Sequence, residues 1–305
     1  MKKIFIVDDD FQGSRLDRWF KKKVCNVPQS LIERNIRKGN IRVNKKKEKS
    51  SYRIKKNDHI YLKNLKLQTR KINKETFKYI PTKKDLSLSS SLFIENNENF
   101  AVLNKPSGIA VQGGTKSKKN IVDILRKTKE FSNSIPYIVH RIDKETTGIL
   151  IIAKNRKYAQ LFTSLFRIRK IHKSYLGLVI GIPNKSKGTL IDDLLYYEGN
   201  KKTKLKAITH FTLIDSANNC SLLKLNPETG RKHQLRKQLL IYGNPIIGDE
   251  KYNLLLKKNK HKSNLMLHAH KIHFKINDLK YNFTADIPDY FDRFLKEKYL
   301  KISQP

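Results

Sequence analysis

"YIVHRIDKETTGILIIAK", residues 137–154, sets two apolar runs on either side of a polar stretch, and its reading decides the fold. "YIV" and "GILIIA" have the unbroken apolar character of buried strands, and "DKETTG" between them has the composition of a loop. Asp143 opens that loop, after the His140-Arg141 pair and Ile142, where a buried strand would rather have a valine. Two roles suit an acid there. It can cap the turn through Thr146 or Thr147, as aspartates do, or it can be a carboxylate placed for chemistry at the end of a rigid support. Arg141, two positions earlier, shares its face if the strand runs on that far.

Around this stretch, from "SLFIENNENFAVLNKPSG" onward, the chain reads as short strands with interspersed helices. There is a hairpin at Asn96-Asn97, a strand ending at Leu103 and a helix in "NIVDILRKT". The order is not a regular βαβ alternation. It predicts an α+β domain with a mixed, mainly antiparallel sheet over residues 91–300. Residues 63–90 lose periodicity and read as a linker.

Ahead of the linker, residues 13–62 have the signs of a separate small module. In "GSRLDRWFKKKV", Leu16, Trp19 and Phe20 recur at i, i+3 and i+4 and mark one helix face. In "VPQSLIERNIRKGNIRVN", Ser30 and Glu33 have the spacing of a capping box that opens a second helix, and Gly39 closes it. A strand with Ile41 and Val43 follows. In "YRIKKNDHIYL", alternating apolar residues flank a turn at Asn57-Asp58.

The 305 residues carry 65 Lys and Arg against 27 Asp and Glu, a net charge of +38, and 38% hydrophobic residues. That is enough apolar material for a real core, with a charge that draws polyanions, nucleic acid first among them. The first 90 residues alone hold 26 basic and 9 acidic residues. Inflation of Lys, Asn and Ile together is also what an AT-rich genome produces, so the placement of charge says more than its total. Cys25 and Cys220 are far apart and without a Cys-x-x-Cys, which argues against a disulfide framework or zinc site and fits a reducing cytosol. "MKKIFIVDDD" has too short an apolar run for a signal sequence, and no later run reaches membrane-spanning length. A cytoplasmic protein is expected.

Several chemistries fail on inspection. "GIAVQGGT" has Gly-x4-Gly spacing, but Gly114 stands where a phosphate loop needs its lysine. No Gly-x-Gly-x-x-Gly follows a strand, which opposes a nucleotide-cofactor enzyme such as a methyltransferase. His268, His270 and His273 in "LMLHAHKIHF" lack a further ligand at metal spacing and read as strand residues, so no metal is expected.

"VLNKPSG", "HRIDKETTGILIIAK", "KSYLGLV", "ETGRKHQLRKQL", "GNPIIGDEKY" and "LMLHAHKIHF" followed by "FTADIP" resemble, in order and spacing, the motifs of the RluA family of pseudouridine synthases over residues 92–295. Residues 13–62 resemble the S4 (αL-type) RNA-binding domain, with an R-L-D opening and an "I-x-V-N" strand; "VNKKK" stands where many members have Val-Asn-Gly.

The resemblance implies a cofactor-free isomerase that turns uridine into pseudouridine, with large-subunit (23S) ribosomal RNA or an assembly intermediate as partner, acting as a monomer. It makes Asp143 the catalytic carboxylate, either attacking the sugar C1′ or assisting loss of a 2′ proton. Burial would raise its pKa, so a cation must sit near it. By resemblance that cation is Arg236, and Tyr175 stacks against the uracil. Arg141 fills the space left by the flipped uridine. Ile246 is a candidate for the pocket wall and Lys105 for a phosphate contact. In the S4-like part, Arg34, Arg37, Lys38, Arg42, Lys45, Lys46 and Lys47 would face RNA. The chain departs from the family at Gln112, Asn244, Thr147 and Gln238. A ribosome-assembly protein that binds RNA without chemistry is the rival reading, opposed by an acid placed where RNA phosphates would repel it.

Overall fold

The computed structural model describes residues 2–63, 79–114, 119–198, 201–252 and 263–302. It divides into two compact units, Met1–Phe77 and Lys78–Pro305.

The first unit is a three-stranded antiparallel sheet with two helices. β1 (Lys2–Ile6) pairs with β3 (His59–Lys63), which also pairs with β2 (Ile41–Val43). α1 (Leu16–Lys23) buries Leu16, Trp19 and Phe20, the face its spacing predicts, and α2 (Gln29–Lys38) buries Ile32 and Ile36 beside them. Asp17 explains the R-L-D opening. It is buried, and it accepts from the Arg15 guanidinium at 2.6 and 3.1 Å and from Gln29 Nε2 at 2.8 Å. Burial alone would raise the Asp17 carboxyl, but the bound guanidinium brings it below the usual carboxylate range. Gly39 closes α2 in the left-handed conformation, as expected. Asn44 and Lys45, both at positive φ, turn the chain after β2.

Three expectations change here. Pro28 is the N-cap of α2 and no side chain caps it, so the Ser30–Glu33 capping box does not form; Ser30 lies inside the helix, and Glu33 accepts from Gln29. The run before the Asn57-Asp58 turn is not a strand, since Arg53 makes only an isolated bridge with Arg15. β1 and the buried Val7 and Phe11 lie ahead of residue 13, the module's expected start.

Of the expected linker, residues 64–78 lie outside the described residues. Its later part is helical, with α3 (Lys83–Ser89) anchored by the buried Asp85, which pairs with Lys119 and accepts from Tyr79 and Thr82.

The second unit is built on one mixed sheet. β4 (Phe93–Asn96) and β5 (Phe100–Lys105) form the hairpin, with Asn97 Oδ1 accepting from the amides of Asn99 and Phe100. The short α4 (Ile121–Leu125) follows, capped by Asn120, then β6 (Tyr137–Ile138) and β7 (Thr147–Ala153), the latter buried at every position. α5 (Arg156–Arg167) starts at an Asn155 cap. β8 (His172–Ile180), β9 (Lys187–Glu198), β10 (Lys201–Ala217) and β11 (Cys220–Pro227) come next, then α6 (Gln234–Ile241). β12 (Leu267–Ile276), β13 (Leu279–Thr284) and α7 (Asp289–Glu297) complete the unit.

The strand order is β4-β5-β7-β12-β8-β11-β10-β9. Every pairing is antiparallel except β7 with β12, so the sheet is mixed and mainly antiparallel as expected. β12 is thus the seam between two half-sheets. One core packs around Phe100, Phe162 and Phe274, the other around Phe211, Leu239 and Phe291. Gly148 makes the seam possible. Its φ is 99°, and a Cβ there would run into the Ala269 carbonyl of β12.

Candidate active site

Asp143 lies in the loop between β6 and β7, and side chains rather than strand pairing shape that loop. His140 Nε2 accepts the Ile151 amide at 2.8 Å, and its ring stacks on Phe166 at 4.6 Å. Burial pushes the imidazole down to about 3, which suits a neutral acceptor. β6 ends at Ile138, so Arg141 and Asp143 both lie outside any strand. The shared strand face expected for Arg141 and Asp143 is therefore absent, and the two meet because both line one cavity.

The loop rests on residues 105–109. The Lys105 side chain is fully buried, and Nζ donates to the carbonyls of Pro106, Ile109 and Lys144 at 2.7, 3.0 and 3.1 Å. Burial pulls its pKa down to about 7, opposed by Glu145 and Asp143. Three acceptors match the three N–H groups of the charged form. Ser107 Oγ donates to the Glu145 carbonyl and the Gly108 amide to that of Lys144. Lys105 is therefore a strut beneath the loop, and burial leaves it no access to a phosphate. At the far end of the loop, Thr147 Oγ1 meets His268 Nδ1 at 2.8 Å, while His268 Nε2 donates to the Ala285 carbonyl at 3.2 Å. Thr147 is thereby committed to His268 and Asp143 accepts from neither threonine, so the turn-cap reading fails.

Arg236 comes from the first turn of α6. Its Nε and Nη2 each donate to Asp249 at 2.7 Å in a two-pronged pair, leaving Nη1 to reach Asp143 Oδ2 at 3.5 Å and Glu145 Oε2 at 3.7 Å. Asp249 is the partner that sequence reasoning missed, although it stands in the quoted "GNPIIGDEKY". Gly248 places it, at a φ of 76° and so close to Asn264 that a Cβ would meet that residue's carbonyl. His233 caps α6 with left-handed backbone, φ 54° and ψ 33°, a conformation uncommon outside glycine. Its Nδ1 lies 2.6 Å from the Tyr252 hydroxyl and its Nε2 3.6 Å from Asp143 Oδ1. Burial and then Arg236 push it down to about 4, so it is neutral at pH 7.

Asp143, Tyr175, Arg236, His233 and Arg141 line a cavity of about 520 Å³. Burial raises the Asp143 carboxyl above its ordinary value, and Arg236 opposes the rise. Burial, then Asp143, raises Tyr175 far enough that it stays a phenol at neutral pH. A cavity of about 830 Å³ adjoins on the side of Lys144, Arg231, Lys232 and Lys251. Ile246 is not in the wall. It is 1% exposed and packs in the second core, bridging to Val179. Gln112, Asn244 and Gln238 also lie off both cavities; Gln238 ties α6 to the sheet through Thr209, Leu190 and Asp192.

The RNA pseudouridylate synthase family matches residues 99–240 of the chain. Ribosomal large subunit pseudouridine synthase C of Buchnera aphidicola subsp. Schizaphis graminum is 33% identical to it, with 96% of each chain covered. The Rickettsia felis protein of that name is 32% identical, over 93% of this chain and 97% of its own. Among solved structures, Human RNA Pseudouridylate Synthase Domain Containing 4 superposes with a TM-score of 0.61 at 25% identity, covering 72% of this chain and 99% of that one.

Proposed function

The chain belongs to the RluA family of RNA pseudouridine synthases, and from that premise we propose that it isomerises uridines of large-subunit (23S) ribosomal RNA, with the target set of the class C enzymes. The observation that carries the reading is a carboxylate, Asp143, inside a cavity shared with Tyr175 and with an Arg236 whose Nη1 reaches it.

The reaction breaks the bond between C1′ and N1, turns the uracil, and joins C5 to C1′. The C5 proton is lost and N1 gains one, so neither redox change nor outside energy is needed. A carboxylate is required in its ionised form, whether it adds to C1′ or takes a 2′ proton. Arg236 supports that form. Its two bonds to Asp249 fix the guanidinium plane so that Nη1 points at Asp143 without neutralising it in a tight pair. Tyr175 offers the ring for stacking and, as a phenol, can donate a proton but not accept one at the outset. Arg141 is exposed at the cavity mouth, where it can occupy the gap left by a flipped base.

The first unit serves as an S4-like RNA-binding module. Arg34, Arg37 and Lys38 are exposed on α2, and Lys45, Lys46 and Lys47 are exposed after β2. Arg42 is tied back to the Gly39 carbonyl at 3.0 Å and shapes that turn. By the same family reading, the protein acts in the cytoplasm as a monomer. Among the described residues no helix is long and apolar enough to cross a membrane.

Asp143→Asn tests the reading. The variant is expected to bind large-subunit RNA with near-unchanged affinity and to form no pseudouridine, scored by carbodiimide-dependent reverse-transcription stops. Turnover by the variant would overturn it.

A further inference from the structure

One part of the cavity wall, the α5 end, is not shared with the adjoining cavity and is lined by Thr163, Phe166 and Arg167 of α5 and by Lys173 of β8. Lys173 precedes Tyr175 by two residues on the same strand, which turns both side chains to one face. Among the described residues neither an acid nor a hydrogen-bond acceptor pairs with its ammonium. The contrast with Lys105 is instructive, because that buried lysine is fully satisfied by three carbonyls. Among the described residues two carboxylates line the cavity, and both are engaged. Asp143 faces Arg236 and His233, while Glu228 meets His210 Nε2 at 2.7 Å and Arg169 at 3.5 Å. Arg167 has no acidic partner among the described residues either.

An ammonium partly removed from water without a counter-ion is unfavourable, and an incoming anion removes that cost. Burial, then the nearby Arg169, already lowers the Lys173 pKa. Two cations with no free carboxylate between them select negative charge over a neutral uracil carbonyl. We infer that Lys173, assisted by Arg167, binds one phosphodiester of the RNA strand next to the uridine held by Asp143 and Tyr175. This inference rests on the RNA-uridine reading of the site. It assigns the α5 end of the cavity to the backbone and the Arg236 end to the chemistry.

The test uses the full-length enzyme on a stem-loop RNA carrying one mapped target uridine. Lys173→Met should raise KM about tenfold, the loss expected for one charge-assisted contact, with the effect on KM rather than kcat. The slope of log affinity against log salt should fall by about 1. A neutral methylphosphonate at one of the two linkages flanking the target should raise the wild-type KM similarly, and should add little to the loss already present in K173M. Lys173→Arg should restore most of the affinity. A drop in kcat at unchanged KM, or additive losses at both linkages, would overturn the assignment. If K173M melts early, the Arg variant and the methylphosphonate scan on wild type decide alone. Wild-type enzyme that modifies no uridine in any ribosomal RNA would sink the functional reading instead.

Discussion

Arg236 divides its guanidinium between two acids, and the division is unequal. Two bonds of 2.7 Å go to Asp249 and one contact of 3.5 Å to Asp143. The tight pair fixes the cation while the loose contact leaves the proposed reacting carboxylate, Asp143, free to move. Replacing Arg236 with Gln removes a charge that lowers the Asp143 pKa, so that pKa rises further. Activity needs the ionised carboxylate and is lost as pH falls through its pKa; the acid limb of kcat/KM against pH should therefore shift upward by about one pH unit. An unmoved limb would mean that Arg236 does not act on Asp143. That Asp143, Tyr175 and Arg236 belong together was legible through their motifs, and they line one cavity, whereas the contacts of Asp249 and His233 were not legible. Their roles depend on distances between segments that the sequence leaves apart.

At the scale of elements, the catalytic loop is supported by the segment after β5. Lys105 was expected at a phosphate by resemblance to the family. β5, however, runs inside the sheet and is covered on both faces, so its burial does not alternate and the last residue is enclosed with the rest. Lys105→Met takes the donor from the Pro106 and Ile109 carbonyls, while that of Lys144 keeps the Gly108 amide, and should cost about 2 kcal/mol or more in urea unfolding monitored by circular dichroism. A cost near zero would show that the carbonyls find other partners. The capping box failed for a simpler reason. With Pro28 as N-cap, α2 begins at Gln29, which places Ser30 in the first turn instead of at the cap. Helix faces, the hairpin and the buried strands were readable because each follows from a local pattern. The end of β6 was not, because it is set by a histidine from the loop accepting an amide of β7.

At the scale of the whole molecule, the density of positive charge separates the two units' work. Combined Arg34→Gln, Arg37→Gln and Lys38→Gln should leave the melting temperature nearly unchanged, since these side chains are exposed. RNA affinity should weaken and its salt slope should fall by up to about 3, measured by titration at several ionic strengths. Unchanged binding would remove α2 from the RNA interface. The topology of the second unit carries a different consequence. Asp143 lies in the loop leading into the half-sheet of β4, β5 and β7, and Tyr175 belongs to the half-sheet of β8 to β11; among the described strands β12, residues 267–276, alone joins them. During translation both halves emerge before the strand that unites them, so a nascent chain holds its acid and its tyrosine on surfaces not yet in register. The register between Asp143 and Tyr175 is therefore set only once residues 267–276 have been made.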